Sequence, residues 1–125
     1  MTPEEILEID AKRNHPPGTV AGHLIAEINE EMRLGGQVVQ EGNVLVMFRA
    51  VEPGVVEYHT FNADTPENLV DAVSKVLRML KKAGCKIART TYENEKINAL
   101  FDMIKPEFKV DIKQADDRFI SEVSL

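Results

Sequence analysis

The chain has 125 residues, 43% of them hydrophobic, with a formal charge of −6 and a pI near 5.1. That length and composition suit one domain over residues 1–125 with one core. Acidic residues scattered along the chain exclude the basic stripe of a nucleic-acid binder and give no long-range attraction to membranes.

The first residues, MTPEEILEID, contain neither a basic region nor an apolar run and do not read as a signal peptide. No window approaches the ~18 apolar residues of a membrane span. The single cysteine, Cys85, leaves no internal disulfide, so a reducing, cytoplasmic setting is expected. Three histidines and one cysteine are spread without ligand spacing, and no metal is expected.

Thr2, Pro3 and Glu5 form a helix start with a capping box. That helix is predicted to reach about Arg13 and to stop at the two prolines of NHPPG. A second helix begins near Thr19, with an apolar stripe of Ala21, Leu24, Ile25, Ile28 and Met32, and ends at Gly35-Gly36. Three strands follow over residues 37–40, 44–51 and 55–61. Their short links imply an antiparallel meander, and Glu52-Pro53-Gly54-Val55 fits a type II turn.

The stretch FNADTPENLVDAV leads into the clearest helix, with Leu69, Val73, Val76, Leu77 and Leu80 on one face. Asp71, Lys75, Arg78 and Lys82 point away, and Gly84 ends it. Residues 85–92 read as a strand parallel to the one before this helix. A shorter helix over about 93–104 carries Ile97, Leu100, Phe101 and Ile104, and Pro106 closes it. Residues 108–113 and 118–125 then form a hairpin. The class is α+β, in the order ααβββαβαββ, with a mixed, mostly antiparallel sheet flanked by helices.

That order resembles the GCN5-related N-acetyltransferase (GNAT) superfamily read from its first helix pair, with the family's first strand missing. YENEKINALFDMIKPEF supports the likeness, with Asn94 and the pair Leu100-Phe101 at spacing similar to the Asn and Leu-Tyr around the family's last helix. Ile97 stands where the family carries Ala, and PEF at 106–108 replaces its Gly-Phe.

The resemblance implies acetyl transfer from acetyl-CoA to an amine. Such chemistry needs a base, donors for the thioester oxyanion and a proton for the leaving thiolate. Glu57 resembles the family's catalytic Glu, with His59 as rival or relay, since the two alternate onto one strand face opposite Val56, Tyr58 and Thr60. Both residues also suit the solvated face of a half-exposed sheet. The family's proton-donating Tyr corresponds to Phe101, which has no proton to give, and leaves Tyr92 as a substitute. His23, Glu27 and Glu30, on the second helix, fall where the family binds its acceptor. His15 has no identifiable partner, and Cys85 reads as a core thiol.

The family's pyrophosphate loop, Arg/Gln-x-x-Gly-x-Gly/Ala, falls on NADTPEN, which has no glycine. Side chains there keep phosphate from approaching the backbone, Pro66 lacks an N–H, and Asp64 and Glu67 add carboxylates. Asp64 or Thr65 is expected to cap the helix and so consume N–H groups. Asn62, Thr65 and Asn68 are the side chains left to meet a cofactor.

Three readings result. The first is a divergent GNAT-like domain with weak or lost acetyl-CoA-dependent activity, acting as a binding or structural module for a small amine or a protein. Phage-encoded proteins of this kind are its nearest analogy. The second is an active acetyltransferase with Glu57 or His59 as base. The third is an α+β homo-oligomerisation module, a homodimer that covers an exposed sheet edge. Loss of the loop favours the first over the second.

Overall fold

A computed structural model describes all 125 residues. The elements are α1 (Pro3–Asn14), α2 (Ala21–Arg33), β1 (Gln37–Glu41), β2 (Val44–Glu52), β3 (Val55–Asn62), α3 (Pro66–Lys82), β4 (Ile87–Tyr92), α4 (Ile97–Asp102), β5 (Lys109–Ala115) and β6 (Arg118–Ser124). The expected order ααβββαβαββ is the observed one, and the strands form one six-stranded sheet ordered β1-β2-β3-β4-β6-β5. Only β3 and β4 run parallel, as the crossover through α3 requires.

Local boundaries moved where side chains compete with the predicted element. β4 starts at Ile87, not residue 85, because Cys85 lies in the α3–β4 link with Sγ directed at the Gly54 and Ile87 carbonyls. Cys85 is half-buried against the core rather than inside it. The helix expected over 93–104 shrinks to α4, because Asn94 Oδ1 accepts the Lys96 N–H and holds a turn there. In the final hairpin Asp116 takes a left-handed φ of 57°, which Asp tolerates, and the strands reach Ala115 and Arg118. Gly54 has φ 78°, as the third position of the expected type II turn demands.

The sheet has a core on each face, where the sequence implied one. On one face α3 lays Val70, Val73, Val76, Leu77 and Leu80 against Val44, Val46, Val56, Tyr58, Ala88 and Val123, with Phe101, Ile104 and Phe108 closing the end. On the other face α1 and α2 bring Ile6, Leu7, Ala11 and Leu24 onto Leu45, Met47 and Phe61. Alternation along β3 therefore sends Tyr58 towards α3, and His59 and Phe61 towards α1 and α2. The α2 stripe is only partly covered: Leu24 is buried, while Ile25 and Met32 remain exposed.

A polar clamp fixes α1 to the sheet. Asp10 is 2% exposed, and its carboxylate accepts from the Asn62 backbone N–H (2.8 Å), Asn14 Nδ2 (2.7 Å) and His15 Nε2 (2.8 Å). His15, expected to stand alone, is thus bound within its own helix end. Arg13 Nη1 also donates to the Asp64 carbonyl at 3.0 Å. Asp10→Ala removes the buried acceptor that these donors share and is expected to lower stability by about 1–3 kcal/mol. Asp10→Asn, which keeps one acceptor oxygen, is expected to lose less; urea unfolding of both variants measures the difference.

Candidate functional site

β3 pairs with β4 over three positions only, Val55↔Ile87, Val56↔Ala88 and Glu57↔Arg89. Beyond them β3 stays with β2 as far as Asn62, while β4 follows β6 through Tyr92↔Phe119. The two strands part, and the backbone groups that β3 turns towards β4 lose their partner. The Ala63 N–H bonds the Asn43 carbonyl on the β2 side, so the neighbouring Asn62 N–H points into the parting. Asp10 is what it meets there.

A polar cavity opens at this parting. Glu27 and Glu31 from α2, Met47 and Arg49 from β2, Glu57 and His59 from β3, and Arg89 and Thr91 from β4 line it. The structure thus brings together Glu57, His59 and Glu27, three of the residues singled out by sequence. His23 instead accepts the Val20 N–H through Nδ1 and caps α2, and Glu30 pairs with Arg33 at 2.6 Å. Neither is among the residues lining the cavity.

The two arginines organise its charge. Arg49 Nε donates to Glu31 at 2.8 Å, and Arg89 Nη2 lies 3.0 Å from Glu122. Glu57 is more exposed and sits 3.9 Å from Arg89 Nη1, too far for a firm hydrogen bond. Sequence reasoning missed Arg89, Glu122, Arg49 and Glu31, because their partners lie 18 to 33 positions away. Alternation alone could have placed Arg89 beside Glu57, once β3 and β4 were paired.

His59 is set edge-on to Phe61, with ring centroids 4.8 Å apart. Burial pushes its pKa below the ordinary 6.5; Glu27 and Asp10 pull upward, and His15 adds to the lowering. The net effect favours the neutral imidazole.

Tyr92 lies on the opposite face of the sheet. Its hydroxyl donates to Asn98 Oδ1 and its ring stacks on Phe101 and Phe119, while burial raises its pKa. On that same face two buried hydroxyls, Tyr58 Oη and Ser121 Oγ, have no hydrogen-bond partner. Tyr58 directly follows the last β3–β4 pair, at the parting, while Ser121 lies one strand further on, opposite Thr90 on β6.

The remaining candidates, Asn62, Thr65 and Asn68, serve the β3–α3 junction itself. Asn62 Oδ1 accepts the Asp64 N–H (2.8 Å), Asp64 Oδ1 accepts the Thr65 N–H (2.8 Å), and Thr65 Oγ1 accepts the Asn68 N–H (3.2 Å). Asn68 Nδ2 returns to Asp64 Oδ1 at 2.7 Å. These bonds hold the Asp64 carboxyl below its usual range, that of Asn68 contributing most. Side chains thus occupy the Asp64, Thr65 and Asn68 N–H groups at this helix start. No group of ligand-bearing side chains is arranged to hold a metal ion, and no helix is long and apolar enough to cross a membrane.

The lowered His59 pKa has a stability consequence. Below about pH 6.5 an unfolded chain binds a proton at this position that the folded chain refuses. Stability from His59 is therefore complete above that pH and is lost as pH falls through it. His59→Gln is expected to flatten this part of the unfolding profile, and the ring carbons of His59 should titrate below 6.5 by NMR.

No protein-family model and no curated protein matches the chain. Solved structures do. A ribosomal-protein-alanine N-acetyltransferase from Brucella melitensis superposes with TM-score 0.62 at 11% identity, covering 97% of this chain and 93% of its own. An acetyltransferase from Bacillus subtilis, solved in complex with CoA, gives 0.62 at 14% identity, covering 100% and 94%. A Salmonella typhimurium structure with its cofactor acetyl-CoA gives 0.57 at 15% identity, covering 98% and 84%. With its single crossover helix, its parted parallel strands and its closing hairpin, this chain has the GNAT fold of the acetyltransferases.

Proposed function

We propose that the chain is a GNAT-fold binding protein whose cavity at the β3–β4 parting takes an amine-bearing ligand, and whose acetyl-CoA-dependent transfer is weak or lost. One observation carries the second half. At the start of α3 the Asp64, Thr65 and Asn68 N–H groups are bonded by Asn62, Asp64 and Thr65, and Pro66 has none. A pyrophosphate brought there would displace these bonds and meet the carboxylates of Asp64 and Glu67 in place of a glycine cradle. The residues present do not fit that group.

Charge supports the first half. Glu31 is committed to Arg49 and Glu122 to Arg89, which leaves Glu27 without a paired cation and Glu57 with only the long 3.9 Å contact to Arg89. An ammonium group, from a small molecule or a protein side chain, complements them.

A second reading has its own observation. The unpartnered hydroxyl of Tyr58 at the parting, with that of Ser121 one strand further on, favours a ligand with hydrogen-bonding groups that reaches through to the α3 face. This is the active acetyltransferase, in which Glu57, or neutral His59, takes the proton from the amine.

Thermal shift with millimolar CoA and acetyl-CoA separates the two. A ligand at a hundredfold excess over its Kd adds about 2.7 kcal/mol of stability. The proposal expects no shift, together with movement of the His59 ring resonances when Nα-acetyl-lysine methylamide is titrated in. A clear CoA shift overturns the loss of cofactor, and Glu57→Gln then distinguishes base from bystander by turnover at unchanged CoA binding. Unmoved His59 resonances sink the amine site.

A further inference from the structure

The geometry points to β1 as a dimerisation edge, on which a second copy of this chain pairs antiparallel about Val39 to continue the sheet. β1 and β5 are the two edges of the sheet. β5 carries Lys109, Asp111 and Lys113 at alternate positions, the charged pattern that blocks strand addition. β1 reads Gln-Val-Val-Gln-Glu, with no Lys, no Pro and no bulge in its register.

The outward groups of β1 follow from the ladder. The Ala63 N–H bonds the Asn43 carbonyl, so in β2 the odd-numbered residues 45, 47 and 49 face β3. Val44, Val46 and Phe48 then face β1, opposite Glu41, Val39 and Gln37. Val38 and Gln40 are left with N–H and C=O groups turned outward. Antiparallel pairing centred on Val39 sets Val38 of one copy opposite Gln40 of the other, so those outward groups satisfy one another on both sides of the two-fold axis. Gln37 then faces Glu41 of the second copy, and no like charges meet.

Several apolar side chains around this edge are exposed or only half-covered. Ile25 and Ile28 of α2 form a groove with Val38, Gln40 and Leu45. Met32 continues their stripe one turn on and is 53% exposed; Leu34, just before β1, is 47% exposed. Met1, also exposed, is held at this edge by Gln40 Nε2, which donates to its carbonyl. A two-fold normal to the sheet keeps both α2 helices on one side of it. The two stripes thereby extend the contact beyond the strands, toward the ~1,200 Å² of a specific interface.

Light scattering on the whole chain after size exclusion tests this, from low to high micromolar concentration. The expected mass is twice the 14.0 kDa of one chain. Gln40→Pro removes an outward N–H without touching the β1–β2 ladder, and Met32→Lys charges the exposed stripe; each is expected to return the monomer. Val39→Cys, in a Cys85→Ala background, is expected to form a disulfide-linked dimer on oxidation, since facing residues of a non-hydrogen-bonded pair have Cα atoms about 4.5 Å apart. If Gln40→Pro does not fold, Met32→Lys and Val39→Cys still decide. A monomer at every concentration overturns the proposal. So does a dimer that survives Met32→Lys and does not cross-link through position 39.

Discussion

The parting of β3 from β4 is the constraint on which the rest of this molecule depends. β4 makes three pairs with β3 but six with β6, and its aromatic end, Tyr92, stacks on Phe119 and Phe101. β3 makes eight pairs with β2. Each strand therefore follows its better partner, and the parallel contact, the weaker kind per residue, gives way between them. A strand interior so exposed must find partners for its backbone groups. At Asn62 the partner is the Asp10 carboxylate, and this explains how a charged side chain comes to be buried under α1.

The same clamp bears on the cofactor question. Asp10 holds Asn62, Asn62 Oδ1 holds Asp64, and Asp64 holds Thr65 and Asn68, while Arg13 fastens the Asp64 carbonyl from α1. Side chains run unbroken from α1 to the first turn of α3. Carboxylates at a helix start interact favourably with its dipole, each by roughly 0.3–1 kcal/mol. The arrangement that makes α3 a well-capped helix is thus the one that opposes an anion in the same place. Helix capping and phosphate binding draw on the same few N–H groups, and here those of Asp64, Thr65 and Asn68 are bonded by side chains.

What could be read from the sequence was what local physics decides. The heptad-like stripe of α3, the capping box at Thr2 and the glycine of the Gly54 turn each express a short-range preference, and each is present. The strand order follows from connection lengths. The polar contacts that shape the site are of another kind. Asp10 meets Asn62 across 52 positions, and Arg89 meets Glu122 across 33. Nothing in a periodicity distinguishes Asp10 from any solvated helix acid. His15 seemed isolated for the same reason, its partner being a residue read as surface. The α2 stripe shows the converse failure: apolar spacing marks a face as sticky, but not whether this chain itself covers it.

The sheet also decides which residues can act together. Glu57, His59 and Arg89 look towards α1 and α2, while Tyr58, Ser121 and Tyr92 look towards α3 and α4. A continuous sheet would keep these two sets apart, because alternate side chains project to opposite sides of a hydrogen-bonded backbone layer. Between β3 and β4 there is no ladder beyond Glu57 and Arg89 to enforce that separation. The cavity on the α2 side presents carboxylates, arginines and the His59 imidazole. At the parting itself, Glu57 and His59 lie on one side and the unpartnered Tyr58 hydroxyl on the other.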